Sequence, residues 1–111
     1  IVYTGTHDND TVKGWFAAAS DSDRACTLNY LNTTGEDIHW DMIRLALSSV
    51  ANTAIIPLQD LLGLDSSGRM NVPGTTNNNW RWRALTEDFT DELAAKLAKL
   101  TVLFGRYNEG K

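Results

Sequence analysis

The chain predicts an α/β fold in which a parallel strand pair is embedded among helices. Three observations carry this. Thr53-Ala54-Ile55-Ile56-Pro57-Leu58 is a short apolar run, β-branched in part, the signature of a strand buried on both faces. The segments between and after the strands repeat apolar residues every three or four positions, as amphipathic helices do. The order strand, helices, strand, loop, helix is the rhythm of parallel strands joined by helical crossovers.

Residues 1–6 read as the first strand. Ile1, Val2 and Tyr3 are its apolar lead-in and Gly5 a hinge, so that it delivers the polar cluster His7-Asp8-Asn9-Asp10 at its end. Asp10 and Thr11 are helix-start residues, and Val12, Trp15, Phe16 and Ala19 follow at helical spacing from Thr11 to Ala19. Ser20 and Asp21 start a second helix with Ala25, Leu28 and Leu31 as its apolar positions. It ends in the polar break Asn32-Thr33-Thr34-Gly35. Thr34 is the N-cap candidate of a third helix, with Glu36 and Asp37 in its first turn, where negative charge suits the helix dipole. Ile38, Met42, Leu45 and Ser49 form one line on it, and Ile43, Leu47 and Val50 another, giving a wide apolar face and a well-buried helix.

The second strand spans 53–58, with Pro57, which has no N–H to donate, marking its end. Gln59 to Leu64 has room for one helical turn. From Asp65 to Trp82 the composition shifts to Ser, Gly, Asn, Thr and Pro. A loop of this length is either functional or disordered, and Trp80 and Trp82 argue for order by packing it onto the body. In the last helix Thr90 is the N-cap, Asp91 and Glu92 fill the first turn, and Leu93, Leu97, Leu100 and Phe104 line one face. Glu92 and Lys96 are spaced for an i,i+4 ion pair.

Composition excludes several classes. The 111 residues carry a formal net charge of −4, which disfavours a nucleic-acid partner, since such binding rests on neutralising phosphates. Cys26 is the one cysteine, so no internal disulfide forms; a buried, inert thiol and a cytoplasmic origin are the expectation. No apolar run approaches the ~20 residues that span a bilayer, so no membrane is implied. Gly5, Gly14 and Gly35 have no phosphate-loop spacing, and no cofactor is expected.

Three readings of His7-Asp8-Asn9-Asp10 stay open on the residues alone. In a helix-capping turn, Asp10 caps the next helix and Asp8 bonds loop amides. A metal site needs three or four ligands, and the other histidine, His39, lies in the third helix, so metal is not expected. In a sugar site, Asp8 accepts hydroxyl hydrogen bonds as one member of a larger carboxylate set. Arg69-Met70-Asn71-Val72-Pro73-Gly74 reads as a rigid turn, either structural, with Arg69 pairing a carboxylate, or functional, presenting the Asn71 amide to vicinal hydroxyls.

Taken together, Tyr3-Thr4-Gly5-Thr6-His7-Asp8-Asn9-Asp10-Thr11 with Gly14-Trp15, Ser49-Val50-Ala51, Pro57-Leu58-Gln59-Asp60, Arg69-Met70-Asn71 with Pro73-Gly74, and Asn79-Trp80 with Trp82-Arg83 form an ordered set. In this set the chain resembles the C-terminal end of the 4-α-glucanotransferases of the amylomaltase or disproportionating-enzyme family. It departs locally, at Val12-Lys13 and Asn77-Asn78.

The resemblance implies that residues 1–111 are the C-terminal portion of a (β/α)8 TIM barrel, with 1–6 and 53–58 as its last two strands, mostly helical in isolation. It implies a transferase moving α-1,4-glucan segments between maltooligosaccharides with retention. Asp8 falls on the third essential carboxylate, the transition-state stabiliser, and His7 and Asn71 fall on substrate-binding positions. The nucleophile and acid/base would lie outside this chain, which alone would be inactive. Bare strand edges would favour self-association of the isolated piece. The rival from another class is a non-catalytic α-glucan-binding module.

Overall fold

A computed structural model describes residues 1–107. Two short strands, β1 (Val2–Tyr3) and β2 (Ala54–Ile55), pair in parallel, Val2 opposite Ala54 and Tyr3 opposite Ile55. Both are shorter than the runs 1–6 and 53–58 suggest. A strand extends only as far as its hydrogen-bond ladder. After Tyr3 the Thr4 side chain turns to Asp60, and Pro57, lacking an N–H, becomes the N-cap of the next helix.

Helix α1 (Val12–Ala18) opens with the Thr11 hydroxyl accepting the Gly14 amide at 3.1 Å, so Thr11 rather than Asp10 is the cap. Helix α2 (Asp21–Leu31) opens with Ser20 accepting the Asp23 amide and ends at Asn32, whose φ of 55° is left-handed. No residue of α2 is fully buried, and Cys26 is exposed, contrary to the expected buried thiol. Of the predicted apolar positions, Ala25 is exposed and Leu28 and Leu31 are half-buried, so α2 presents only a weak apolar face to the body.

Helix α3 (Ile38–Ser48) is the centre of the core and buries Ile38, Ile43, Ala46 and Leu47. Its N-cap is Asp37, without a side-chain cap bond, and not Thr34. Gly35, at φ 81°, intervenes as a left-handed turn, and a β-carbon there would come within 2.7 Å of Leu28. The predicted apolar face holds at Ile38, Ile43 and Leu47 and fails at Leu45, which is exposed, and at Val50, which lies past the helix end and is fully exposed.

Helix α4 (Leu58–Leu61) packs against α3 and is followed by a turn at Gly63, φ 68°. Helix α5 (Asp91–Leu103) has the predicted cap, with Thr90 accepting the Leu93 amide at 3.1 Å and Asp91 and Glu92 in the first turn. The Glu92–Lys96 pair does not form. Lys96 Nζ instead lies 4.6 Å from the Trp40 ring centroid, and Arg44 lies 5.1 Å from that of Phe104, so cation–π contacts join α3 to α5 and to the residue that caps its end.

Arg106 closes this end of the molecule. Its guanidinium donates to the carbonyls of Leu47 (2.8 Å), Ser49 (3.2 Å) and Ala51 (2.8 Å), at and just past the C-terminus of α3. These carbonyls have no intrahelical donor, and a cation suits that end of the dipole. The segment 65–82 is ordered by the 3₁₀ turn Ser66–Gly68 and by a turn in which the Thr75 amide donates to Val72 O across Pro73 and Gly74, the latter at φ 81°. That is the type II arrangement Pro-Gly favours.

Candidate functional site

The site begins where the parallel strands stop. Asp60, 2% exposed, accepts the Thr4 hydroxyl on Oδ2 (2.7 Å) and the Val12 amide on Oδ1 (2.8 Å). One buried carboxylate of α4 thus fixes the end of β1 and the start of α1. A carboxylate at a helix N-terminus also matches the dipole.

The residues between Thr4 and Val12 must turn within this span. Asn9 closes the turn: its amide donates to Thr6 O (3.1 Å), and its Oδ1 accepts the Thr6 amide (2.8 Å) and hydroxyl (2.9 Å). Asp10 then anchors it below, accepting the Thr11 amide (2.8 Å) and the Ser66 hydroxyl (2.7 Å). Gly14 makes that anchor possible, because a β-carbon there would collide with the Asp10 carboxylate (2.5 and 2.6 Å) and with the Ser66 hydroxyl.

Held this way, the turn presents His7 and Asp8 with about half of each side chain exposed. The segment Arg69–Asn71 runs alongside. The Asn71 amide N–H donates to His7 O (3.1 Å), and the Asn71 side-chain amide donates to Asp8 Oδ1 (2.7 Å). His7 Nε2 lies 3.3 Å from the same Oδ1. The three residues singled out in the sequence, His7, Asp8 and Asn71, therefore meet. Among the described residues Oδ1 of Asp8 is engaged, and no hydrogen bond reaches Oδ2.

Other details correct the sequence reading. The Asp8 carboxylate takes the Asn71 side chain rather than loop amides. Arg69 pairs with no carboxylate: it donates to the backbone carbonyls of Asp8 (2.7 Å) and Asn71 (2.9 Å). Trp82 is half-buried, whereas Trp80 stays half exposed and lays its ring on His7, centroids 5.0 Å apart and planes 35° apart. Trp80 holds φ 60°, a region few non-glycine residues adopt, and its amide donates to Met70 O (2.6 Å).

A cleft of about 490 Å³ opens beside the turn, lined by Tyr3, Thr6, His7, Gln59, Arg69 and Met70 among others. His7 lines this cleft, whereas Asp8 and Asn71 sit beside it; together the three carry a carboxylate, an amide and an imidazole, a mixture of hydrogen-bond acceptors and donors. Among the described residues no three His, Cys, Asp or Glu side chains cluster as a metal site, and no helix is long and apolar enough to cross a membrane.

Sequence reasoning missed Asp60, Arg69 as a backbone clamp, and Trp80 as the neighbour of His7. The motif residues Pro57-Leu58-Gln59-Asp60 contained the first without marking it as buried.

Comparison with known proteins places this geometry in context. Residues 1–88 match a family described as 4-alpha-glucanotransferase. The chain is similar to the 4-alpha-glucanotransferase of Synechocystis sp., 53% identical over 107 residues, covering 96% of this chain and 21% of that protein. It is 48% identical over 109 residues to a chloroplastic/amyloplastic 4-alpha-glucanotransferase of Oryza sativa subsp. japonica, covering 97% of this chain and 18% of that one. Among solved structures, the amylomaltase of Streptococcus agalactiae in complex with acarbose superposes with a TM-score of 0.91 at 36% identity, covering 96% of this chain and 22% of that one. The chain spans about a fifth of the length of these relatives.

Proposed function

The chain belongs to the 4-alpha-glucanotransferase family, and from that premise we propose that it supplies one corner of a glucan-transfer site whose other parts lie elsewhere in a longer protein. In this reading β1 and β2 are the last two strands of a (β/α)8 barrel, and the turn 6–9 and the segment 69–71 are loops at their carboxyl ends, where such barrels hold their active sites.

The observation that carries the reading is the meeting of Asp8, His7 and Asn71 just beyond both strands. Asp8 is the third carboxylate. It accepts hydrogen bonds from hydroxyls of the sugar at the cleavage point, through the oxygen that Asn71 leaves free. A charged acceptor forms the stronger bond. Bonds that tighten as the oxocarbenium-like state develops lower the barrier and not merely the binding energy. His7 and Asn71 hold the carboxylate and contact the same sugar.

The nucleophile and acid/base come from the remainder of the parent. Two successive displacements through a covalent glycosyl-enzyme give retention, and a sugar hydroxyl accepts the glucan segment in the second. Maltooligosaccharides and α-1,4-glucans are the substrates, and the chemistry calls for no cofactor. The single cysteine suits a reducing compartment, the cytoplasm of a bacterium or the plastid of a plant.

Two measurements on maltotriose test this. The longer parent is expected to disproportionate it into shorter and longer oligosaccharides, and Asp8→Asn to remove that activity. The isolated chain is expected neither to disproportionate maltotriose nor to bind it in a calorimetric titration, and to self-associate in light scattering. Tight binding by the isolated chain, with Asp8→Asn harmless in the parent, would favour a glucan-binding module instead.

A further inference from the structure

Asp8 and Asn71 reach the site from turns 63 positions apart in sequence, and their side-chain bond alone cannot keep them in register. Sugar hydroxyls entering the site compete for both groups, so the placement must come from bonds a ligand does not touch. The Asn71 amide to His7 O, at 3.1 Å, is one such tether. Arg69 makes two more. Its Nη2 donates to the carbonyl of Asp8 at 2.7 Å and its Nε to the carbonyl of Asn71 at 2.9 Å.

We propose that Arg69 is a positioning residue, whose guanidinium fixes the distance between the Asp8 and Asn71 backbones and so aims the Asp8 carboxylate at the reacting sugar. The inference rests on the function proposed above. The guanidinium is planar and always charged, and its donors sit in a rigid fork, so two carbonyls bound to it are held at a set separation. Both are loop carbonyls that need a donor in any case. Neither bond uses a carboxylate oxygen, so the clamp leaves Asp8 free for its ligand. A lysine ammonium is a single point on a flexible stem and cannot impose that spacing.

A clamp of this kind acts on the transition state before it acts on binding. A small drift of a positioned group costs rate steeply, while a hydroxyl-rich substrate retains most of its ground-state contacts.

The test uses the longer parent protein, with Arg69→Met, Arg69→Lys and Asp8→Asn compared to wild type. Maltotriose disproportionation gives kcat and KM, normalised to the folded fraction from thermal melts. Both Arg69 variants are expected to lose about 30-fold or more in kcat per folded molecule, with KM within about threefold of wild type. If Arg69→Met does not fold, Arg69→Lys, which keeps charge and length, decides on the same criteria. A kcat within twofold of wild type for the Arg69 variants, while Asp8→Asn is inactive, would overturn the clamp and leave the proposed function standing. A raised KM at unchanged kcat would also overturn it, by making Arg69 a substrate-binding group. Full activity of Asp8→Asn would remove the proposed function and this inference with it.

Discussion

The side-chain amide of Asn71 donates to Oδ1 of Asp8 across 2.7 Å, although the two residues lie 63 positions apart. This bond joins the loop after β2 to the turn after β1 and leaves the second carboxylate oxygen without a hydrogen-bond partner among the described residues. Asn71→Ala in the parent removes a donor to a charged acceptor, worth about 1.5–3 kcal/mol, and is expected to lower kcat/KM for maltotriose by about 10- to 100-fold. Asn71→Asp sets a second carboxylate against Asp8 and should be worse than Asn71→Ala, because like charges at this separation repel. Steady-state kinetics on the two variants check the order, and an Asn71→Asp enzyme faster than Asn71→Ala would contradict it.

Asp60 makes the corresponding structural bond, holding Thr4 and the first amide of α1 from a buried position. Asp60→Ala leaves a buried amide and hydroxyl without partners, which costs about 1–3 kcal/mol per group. Asp60→Asn costs less, because its carbonyl still accepts from one partner and the Thr4 hydroxyl can rotate to accept from its NH2. Urea unfolding of the parent measures both. A loss under about 0.5 kcal/mol for Asp60→Ala, well below the cost of one orphaned group, would show that the carboxylate does not anchor this corner.

Local signals proved the most legible in the sequence. Thr11, Ser20 and Thr90 cap helices through bonds to the amide three residues on, and the Pro73-Gly74 turn is equally local. His7, Asp8 and Asn71 were identified as site candidates through an ordered set of motifs, and they do meet. The contacts of Asp60 with Thr4 and Val12, of Arg69 with Asp8 and of Arg106 with Leu47 were not legible, because these partners lie 48 to 61 positions apart and no spacing encodes such contacts. The exposure of Cys26 and Val50 was missed for a related reason. Periodicity tells which face of a helix is apolar, not whether another layer covers it or where the helix stops.

His39 gives the fold a pH dependence. Burial lowers its pKa below 6.5, helped by the charges of Lys13 and Lys96 and opposed by Asp37 and Asp60. Its Nδ1 is buried without a hydrogen-bond partner, and a β-carbon on Gly63 would come within 2.8 Å of Nε2, although the residue as a whole is only half-buried. Because the folded pKa lies below the unfolded one, the unfolded chain binds the proton first as pH falls. The contribution of His39 is therefore complete above about pH 6.5 and is lost as pH drops from there towards the folded value. Thermal melts of the parent at pH 7.5 and 5.5 should show a smaller acid-induced drop in Tm for His39→Gln than for wild type. An equal drop in both would remove His39 as a source of the dependence.

The most direct measurement is kcat and KM for maltotriose disproportionation by the longer parent carrying Asp8→Asn. Asparagine keeps the shape and one carbonyl acceptor but removes the charge that, in the proposed function, accepts the sugar hydroxyls most strongly in the transition state. Asp8→Asn is expected to lower kcat by about 10²-fold or more, the scale for losing one transition-state contact, with KM little changed and Tm preserved. Turnover within about threefold of wild type, less than ~0.7 kcal/mol in the barrier, would contradict the assignment of Asp8 to glucan transfer.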